Sequence, residues 1–184
     1  MERLQRRKRT PRREDSGERR RREMLGWMQE KGAPIQGSDL ARRLHVSRQC
    51  VVQDIAILRA AGEEILATPM GYRLPGKVSA GFRSVIACRH TPEETREELE
   101  ILVDHGVKIL DVVVEHPIYG ELRGSLMIES RADLADFIER VQAKRATLLS
   151  SLTQGVHLHT VEASREALIA RAKAKLRSRG FLLK

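Results

Sequence analysis

The sequence predicts an α+β protein in which an N-terminal winged helix-turn-helix domain precedes a two-layer α/β domain with a mainly antiparallel sheet. Two observations predict this fold. Three helical patterns followed by a hairpin pattern occupy residues 18–75, and strand and helix patterns alternate beyond Pro75-Gly76. We therefore expect a basic, disordered arm at 1–17, a first domain at 18–75 and a second domain at 76–184.

Composition and charge narrow the class of protein. The 184 residues are 41% hydrophobic, but no apolar run approaches the ~18–20 residues of a membrane-spanning helix. The basic N-terminus lacks the apolar segment of a secretory signal. The two cysteines, Cys50 and Cys88, are too few for a disulfide framework and suit a reducing compartment. These features predict a cytoplasmic protein that does not enter membranes.

The positive charge of the chain lies mainly in the arm. Of the net charge of +9, residues 1–22 contribute +7, with 11 Lys and Arg against 4 Asp and Glu. Such an arm can attract phosphate backbones of any sequence. A solubilising tail has the same composition, so the arm alone does not predict DNA binding.

The first domain contains three helical patterns. The first begins near Glu18 and ends near Gly32-Ala33-Pro34, because proline cannot continue the turn. Ser38 is the expected N-cap of a short second helix. Ser47 is the expected N-cap of a third helix that runs to about Gly62.

The third helix has one apolar face and one polar face. Val51, Ile55 and Leu58 are spaced for burial on one side. Arginine can pair with guanine and glutamine with adenine in the major groove. An ordinary amphipathic helix with a solvated polar face is the alternative, and composition alone favours it. The predicted DNA-binding residues are Ser47, Arg48, Gln49 and Gln53 on this helix, with Arg42, Arg43 and Arg73 as phosphate contacts.

A hairpin pattern after the third helix favours the DNA-binding interpretation. Ile65 to Leu74 reads as two short strands around Pro69-Met70-Gly71, and three helices followed by a hairpin is the winged-helix order. The segment Val46 to Leu58 resembles the helix-turn-helix module of biotin-operon-type bacterial repressors. An uncharged Met70 at the tip argues against a strong wing–phosphate contact.

The second domain alternates strands and helices. Thr91-Pro92-Glu93-Glu94 is a capping box with proline at the first helical position. Ser130 and Ser164 are the expected N-caps of two further helices. The patterns predict strands at 83–88, 108–114, 121–128, 148–152 and 156–161, and helices at 91–105, 130–145 and 164–180.

Histidines of the second domain form a candidate metal site. His157 and His159 lie two apart and share one face of a strand. His90 at a strand–helix junction and Glu98 on the next helix can converge with them on one divalent cation, whether zinc, nickel, iron or manganese. Hydrogen-bonded or surface histidines are the alternative, and the motif alone favours them. Cys88 shares the face of His90, but a small buried hydrophobe is the favoured interpretation.

Several motifs together carry a resemblance to a known family. Residues 20–184 resemble the nicotinate-responsive repressors of NAD biosynthesis and niacin uptake (the NiaR/YrxA type), in which a winged helix precedes a "3H" domain. The matching residues are the helix Ser47–Leu58, the wing Ala67-Thr68-Pro69-x-Gly71-Tyr72, His116-Pro117-x-Tyr119-Gly120-Glu121-Leu122, and His157-x-His159.

The resemblance implies a fold, a cofactor and partners. It implies an HPr-like 3H domain, a homodimer on double-stranded operator DNA, nicotinate as corepressor, and a divalent metal. The implied metal ligands are His90, Glu98, His157 and His159. A repressor of the same architecture that responds to another small molecule, or to the metal itself, is the alternative.

A second group of side chains is a candidate effector site. His116, Tyr119 and Arg123 lie near one turn, and Arg123 can pair with a carboxylate. A β-turn that needs Gly120 for its backbone shape is the alternative. A metal-dependent hydrolase is a further alternative, but the sequence lacks H-E-x-x-H or a comparable motif, so we do not expect an enzyme. A phosphohistidine relay module is another alternative.

Overall fold

The computed structural model describes residues 16–75 and 81–183, which form two hydrophobic cores. The first core lies between Met24 and Ile65, and the second between Ile86 and Phe181. Most of the predicted arm, and residues 76–80 after the predicted boundary, lie outside the described residues. The boundaries of the arm and the two domains therefore stay predictions.

The first domain has the predicted order of three helices and a hairpin. Its elements are α1 (Ser16–Lys31), α2 (Gly37–Arg43), α3 (Arg48–Ala60), β1 (Leu66–Thr68) and β2 (Gly71–Arg73). The Ser47 cap is confirmed, because its hydroxyl accepts a hydrogen bond from the Cys50 N–H at 3.1 Å. The Ser38 cap is wrong: the N-cap of α2 is Gln36, two residues earlier, and its carbonyl accepts the N–H groups of Asp39 and Leu40.

The wing is tied to the helices by an isolated β-bridge between Ile35 and Tyr72. Ile35 exchanges two backbone hydrogen bonds with Tyr72, at 2.8 and 2.9 Å. Gly71 allows this approach: its φ is +129°, and a Cβ there would lie 2.3 Å from the Ile35 carbonyl oxygen. No other residue type fits this position without displacing the backbone.

A buried carboxylate fixes α1 against α3. Asp54 is 2% exposed and accepts hydrogen bonds from Arg20 at 2.5 Å and from Arg21 at 3.2 Å. Burial alone would raise the pKa of Asp54, but the two guanidinium groups hold it below its ordinary value. The ion pairs therefore orient α3 relative to α1 within the first domain.

The second domain is a four-stranded antiparallel sheet with helices on one face. Its elements are β3 (Phe82–Arg89), α4 (Thr95–Asp104), β4 (Lys108–His116), β5 (Gly120–Ile128), α5 (Arg131–Lys144), β6 (Val156–Ala163) and α6 (Glu166–Ser178). The strand order is β3-β6-β4-β5, so the last strand lies between the first two. The α+β class and the two-layer, antiparallel arrangement are confirmed.

Two local predictions in the second domain are wrong. The expected strand at 148–152 is a 3-10 helix, Leu149–Thr153. The leucines of this segment are spaced for a helix as well as for a strand. A further strand could not pair with β6, because β3 and β4 already occupy both of its edges. The expected cap Ser164 is also wrong, because β6 continues to Ala163 and α6 starts at Glu166 with Arg165 as its N-cap.

Helix length and polarity bear on membrane insertion. Among residues 16–75 and 81–183, no helix combines the length and the apolar character needed to cross a bilayer.

Candidate nucleic-acid interface and metal centre

The polar face of α3 is exposed as a groove-reading helix requires. Arg48, Gln49 and Gln53 are exposed, whereas Val51 and Ile55 are buried in the first core. Ser47, also exposed, begins the helix, so its first turn presents two long polar side chains to solvent. This is the end of the recognition helix that contacts base edges in helix-turn-helix proteins.

The predicted phosphate-binding arginines differ in their surroundings. Arg42 and Arg43 are exposed at the end of α2; Arg42 pairs with Asp39 at 3.2 Å, and Arg43 lies 5.5 Å from the Trp27 ring centre. Arg73 is half-buried and lines two cavities that are also lined by the second domain. A phosphate contact by Arg73 would require it to leave this cleft.

Strand register brings the predicted metal ligands together. His157 and His159 of β6 lie opposite Cys88 and Ile86 of β3, on the face that the helices cover. His90 follows β3 directly, and Glu98 lies in the first turn of α4. The four predicted ligands come from three elements of the fold, which explains why no contiguous motif contains them.

The Glu98 carboxylate lies at the centre of this cluster. Its Oε2 is 2.7 Å from His90 Nε2 and 3.4 Å from His159 Nε2, and its Oε1 is 3.4 Å from His157 Nε2. Glu98 is 0% exposed, and the three histidines are also buried. The rings of His90 and His159 each lie edge-on to the His157 ring, with centres 4.8 Å apart.

The outer ring nitrogens determine what the inner ones can do. Each Nδ1 faces a backbone carbonyl: that of Thr91 for His90 (2.8 Å), of Gly155 for His157 (2.8 Å) and of Asp111 for His159 (2.7 Å). Carbonyl oxygens only accept, so each Nδ1 carries a proton, an assignment made from the hydrogen-bond partners. When the imidazoles are neutral, each Nε2 is unprotonated and its lone pair faces the ionised Glu98 carboxylate, which has no proton to donate.

This arrangement requires a cation or protons between the nitrogens and the carboxylate. The Glu98 Oε1 has no hydrogen-bond partner among the described residues, although it is fully buried. Three imidazole Nε2 atoms and one carboxylate, with each Nδ1 fixed by a carbonyl, form the donor set of a divalent transition-metal site. The residues therefore fit a metal, although the donor set does not select one metal.

The charges in the cluster depend on one another. Burial by itself would raise the pKa of Glu98, but the neighbouring histidines hold it well below its ordinary value. Burial by itself would lower the pKa of His90 and of His159, but the Glu98 carboxylate raises both. Without a metal, protons therefore take the place of the cation, and a metal must displace them.

Cys88 lies closer to this cluster than its interpretation as a small hydrophobe suggests. One ligand atom each of Cys88, Glu98 and His157 lie within 4.8 Å of one another, and all three residues are buried. Burial and the Glu98 charge raise the pKa of the thiol. Cys88 would have to lose a strongly held proton to coordinate a metal.

Gly155 is a site residue that the sequence analysis missed. Its φ is +89°, and a Cβ would lie 2.2 Å from the His90 carbonyl oxygen. Its own carbonyl accepts from His157 Nδ1. Gly155 thus places two of the histidines at once, and the only sequence signal was a glycine two residues before the His-x-His pair.

A small pocket of about 30 Å³ adjoins the three imidazoles. Its wall is mostly apolar, with Thr95 and Ser150 as the other polar residues. The apolar lining residues are Leu99, Val112, Leu126, Phe137, Leu148 and Leu149. A volume of this size holds one or two waters.

The predicted effector residues are only partly brought together. The rings of His116 and Tyr119 stack with centres 4.9 Å apart at an exposed turn, where Tyr119 is 72% exposed. His116 Nδ1 accepts from the N–H groups of Ile118 and Tyr119. Arg123 pairs with Asp111 at 2.6 Å and lines a cavity between the domains.

Comparison with known proteins covers both domains. Residues 83–184 match the family described as "3H domain", and residues 20–73 match the family described as "HTH domain". The chain is 40% identical over 171 residues to "Transcription repressor NadR" of Bacillus subtilis (strain 168), covering 91% of this chain and 95% of that protein. It is 45% identical over 150 residues to "Probable transcription repressor NiaR" of Thermotoga maritima, covering 82% and 85%. Both relatives are named as transcription repressors and neither as an enzyme.

Proposed function

Because the chain belongs to the family of transcription repressors that join a helix-turn-helix domain to a 3H domain, we propose that it is a nicotinate-responsive repressor of NAD-biosynthesis and niacin-uptake genes. The resemblance inferred from the sequence is confirmed at the level of the family. The effector, the metal and the regulated genes are part of the proposal, as is action in the cytoplasm, where operator DNA is found.

The metal cluster carries this proposal. In it, His90, Glu98, His157 and His159 hold one divalent cation, because three imidazole nitrogens face one buried carboxylate and together form a transition-metal donor set. When bound, such a cation attracts carboxylates and ring nitrogens of small molecules. Nicotinate has one of each on a flat ring, which suits an apolar pocket beside the imidazoles.

We propose that nicotinate widens the pocket. Its binding would displace residues that close the pocket, among them Phe137 on α5 and Leu149 on the 3-10 helix. Such a displacement gives the effector unequal affinity for two conformations of the protein, which is what a switch needs. The exposed group of His116, Tyr119 and Arg123 offers no enclosed pocket and is the competing location.

In DNA binding, Ser47, Arg48, Gln49 and Gln53 approach base edges while Arg42 and Arg43 hold phosphates. We propose a homodimer, since two recognition helices ~34 Å apart read two half-sites on one side of the duplex. The relevant effect of nicotinate is then on the spacing of the two helices.

The interface assignment is tested with one matched pair of variants. Gln53→Ala should reduce the preference for operator over unrelated DNA by about 5–150-fold, the range of one bidentate base contact. Gln29→Ala replaces an exposed glutamine on α1 and should leave the preference unchanged. If Gln53→Ala and Gln29→Ala show the same preference for operator over unrelated DNA in a gel-shift titration, the assignment of α3 as the helix that contacts the bases is refuted.

The effector site is tested by calorimetry with nicotinate on the metal-loaded protein. Phe137→Ala should change nicotinate affinity, whereas Tyr119→Ala should not. The reverse pattern would place the effector at the exposed turn. If chelation abolishes operator binding and nicotinate has no effect, the metal itself is the signal.

A further inference from the structure

The tip of the wing is held by the second domain. Arg140 of α5 donates a hydrogen bond from Nη1 to the Pro69 carbonyl oxygen at 2.9 Å. Met70, the next residue of the tip, is half-buried and lines a cavity that Met127 of β5 also lines. Arg73 lines the same cavity. The wing therefore presents a carbonyl and an apolar side chain to the second domain.

Both sides of this contact have a fixed shape. On the wing, the Thr68 hydroxyl donates to the Gly71 carbonyl at 2.9 Å and accepts from the Met70 N–H at 3.2 Å, which closes the tip. On the second domain, Met127 has a φ of +54° at a register shift between β4 and β5. Bulges of this kind redirect a side chain, and here it lines the cleft beside the wing.

The same helix that holds the wing also closes the metal pocket. Phe137 of α5 lines the pocket together with His90, His157 and His159. Arg140 follows Phe137 by three residues, so it lies one turn further along the same side of α5. A displacement of Phe137 by an occupant of the pocket would move the Arg140 guanidinium relative to the wing.

We propose that the wing of this protein is a docking element for the second domain, and that α5 couples the metal pocket to the DNA-binding domain through the Arg140–Pro69 contact. This explains the uncharged wing tip, because Met70 is poorly suited to phosphates but lines the same cleft as Met127 of the second domain. It also explains why Arg73 faces the cleft. The docking stands on the contacts alone, whereas the coupling rests on the proposed function.

The test uses full-length Arg140→Met, which keeps the apolar stem and removes the hydrogen-bond donors. Lys144→Met is the matched control, because Lys144 is an exposed cation on the same helix and the charge change is equal. The first measurement is amide hydrogen exchange of the wing, residues 66–73. We expect faster exchange of the Met70 and Gly71 amides, by about fivefold, in Arg140→Met only. Equal wing exchange in wild type and both variants would overturn the docking.

The second measurement is operator affinity with and without nicotinate on the metal-loaded protein. Allosteric couplings usually change affinity by ~5–150-fold. We expect nicotinate to raise operator affinity by such a factor in wild type and Lys144→Met. In Arg140→Met the ratio of operator affinity with nicotinate to that without it should be near one, at unchanged metal content. If Arg140→Met keeps the wild-type ratio, the coupling is overturned. If wild type itself shows no ratio, the proposed effector is wrong, and the exchange measurement still decides the docking.

Discussion

Removal of the metal should lower the unfolding temperature of the second domain by a predictable amount. The four proposed ligands are assembled by β3, α4 and β6, so the metal binds the folded domain and stabilises it by mass action. At a free metal concentration of 100 times Kd this stabilisation is ~2.7 kcal/mol. For a domain of about 100 residues, each kcal/mol shifts the unfolding temperature by ~4–8 °C. Chelation should therefore lower it by roughly 10–20 °C.

Glu98→Gln should abolish this difference. The variant keeps the shape of the side chain but loses the negative charge that a divalent cation needs. It should also be less stable than wild type without metal, because the histidines lower the pKa of Glu98 and so stabilise its charged form. Glu139→Gln is the control, since Glu139 is an exposed carboxylate on α5.

The assay is differential scanning calorimetry before and after chelation, with metal content measured by elemental analysis. The comparison uses the shift within each variant, so differences in baseline stability do not affect it. Wild type that binds one metal per chain yet unfolds at the same temperature with and without it would refute the reasoning. A Glu98→Gln variant with a wild-type shift would remove Glu98 from the ligand set.

Three further perturbations test the packing around the two sites. Asp54→Asn should lower the unfolding free energy of the first domain by about 2–3 kcal/mol in urea at pH 7. The contribution of Asp54 is present above its ordinary pKa of 3.8 and is lost as the pH falls through the lowered pKa of the folded state, so wild type and Asp54→Asn should become equally stable near pH 2. The same difference in unfolding free energy at pH 7 and pH 2 would contradict this. Ser47→Ala should cost ~0.5–2 kcal/mol in the same assay, and Ser38→Ala less than Ser47→Ala, since only Ser47 caps a helix; equal losses would contradict the cap assignment. Gly155→Ala should displace His90 and weaken metal binding at least ~10-fold by competition with a chelating dye, as expected for loss of a ligand-orienting contact, and unchanged affinity would show that the site tolerates the shift.

Sequence reasoning succeeded where the determinants are local. The Ser47 cap, the buried stripe of Val51 and Ile55, and the capping box at Thr91 each depend on residues within one or two turns. The face shared by His157 and His159 follows from the two-residue period of a strand. The helix–turn–helix order and most of the sheet could therefore be predicted.

Features that depend on long-range contacts could not be predicted. The partners of Asp54 lie more than 30 residues earlier, and the His159 Nδ1 acceptor, Asp111, lies 48 residues earlier. The 3-10 helix at Leu149–Thr153 has a leucine pattern that suits either structure, and only its packing against the sheet decides. The sequence predicted that Arg123 could bind a ligand, but Arg123 of β5 forms an ion pair with Asp111 of the neighbouring strand β4.

Operator titration in four states tests the central claim most directly: purified full-length protein with metal and nicotinate, with either one alone, and with neither. The account predicts tight binding only when both are present, and restoration of that binding when metal is returned after chelation. Equal operator affinity in all four states would contradict it, because the second domain would then exert no control over the first.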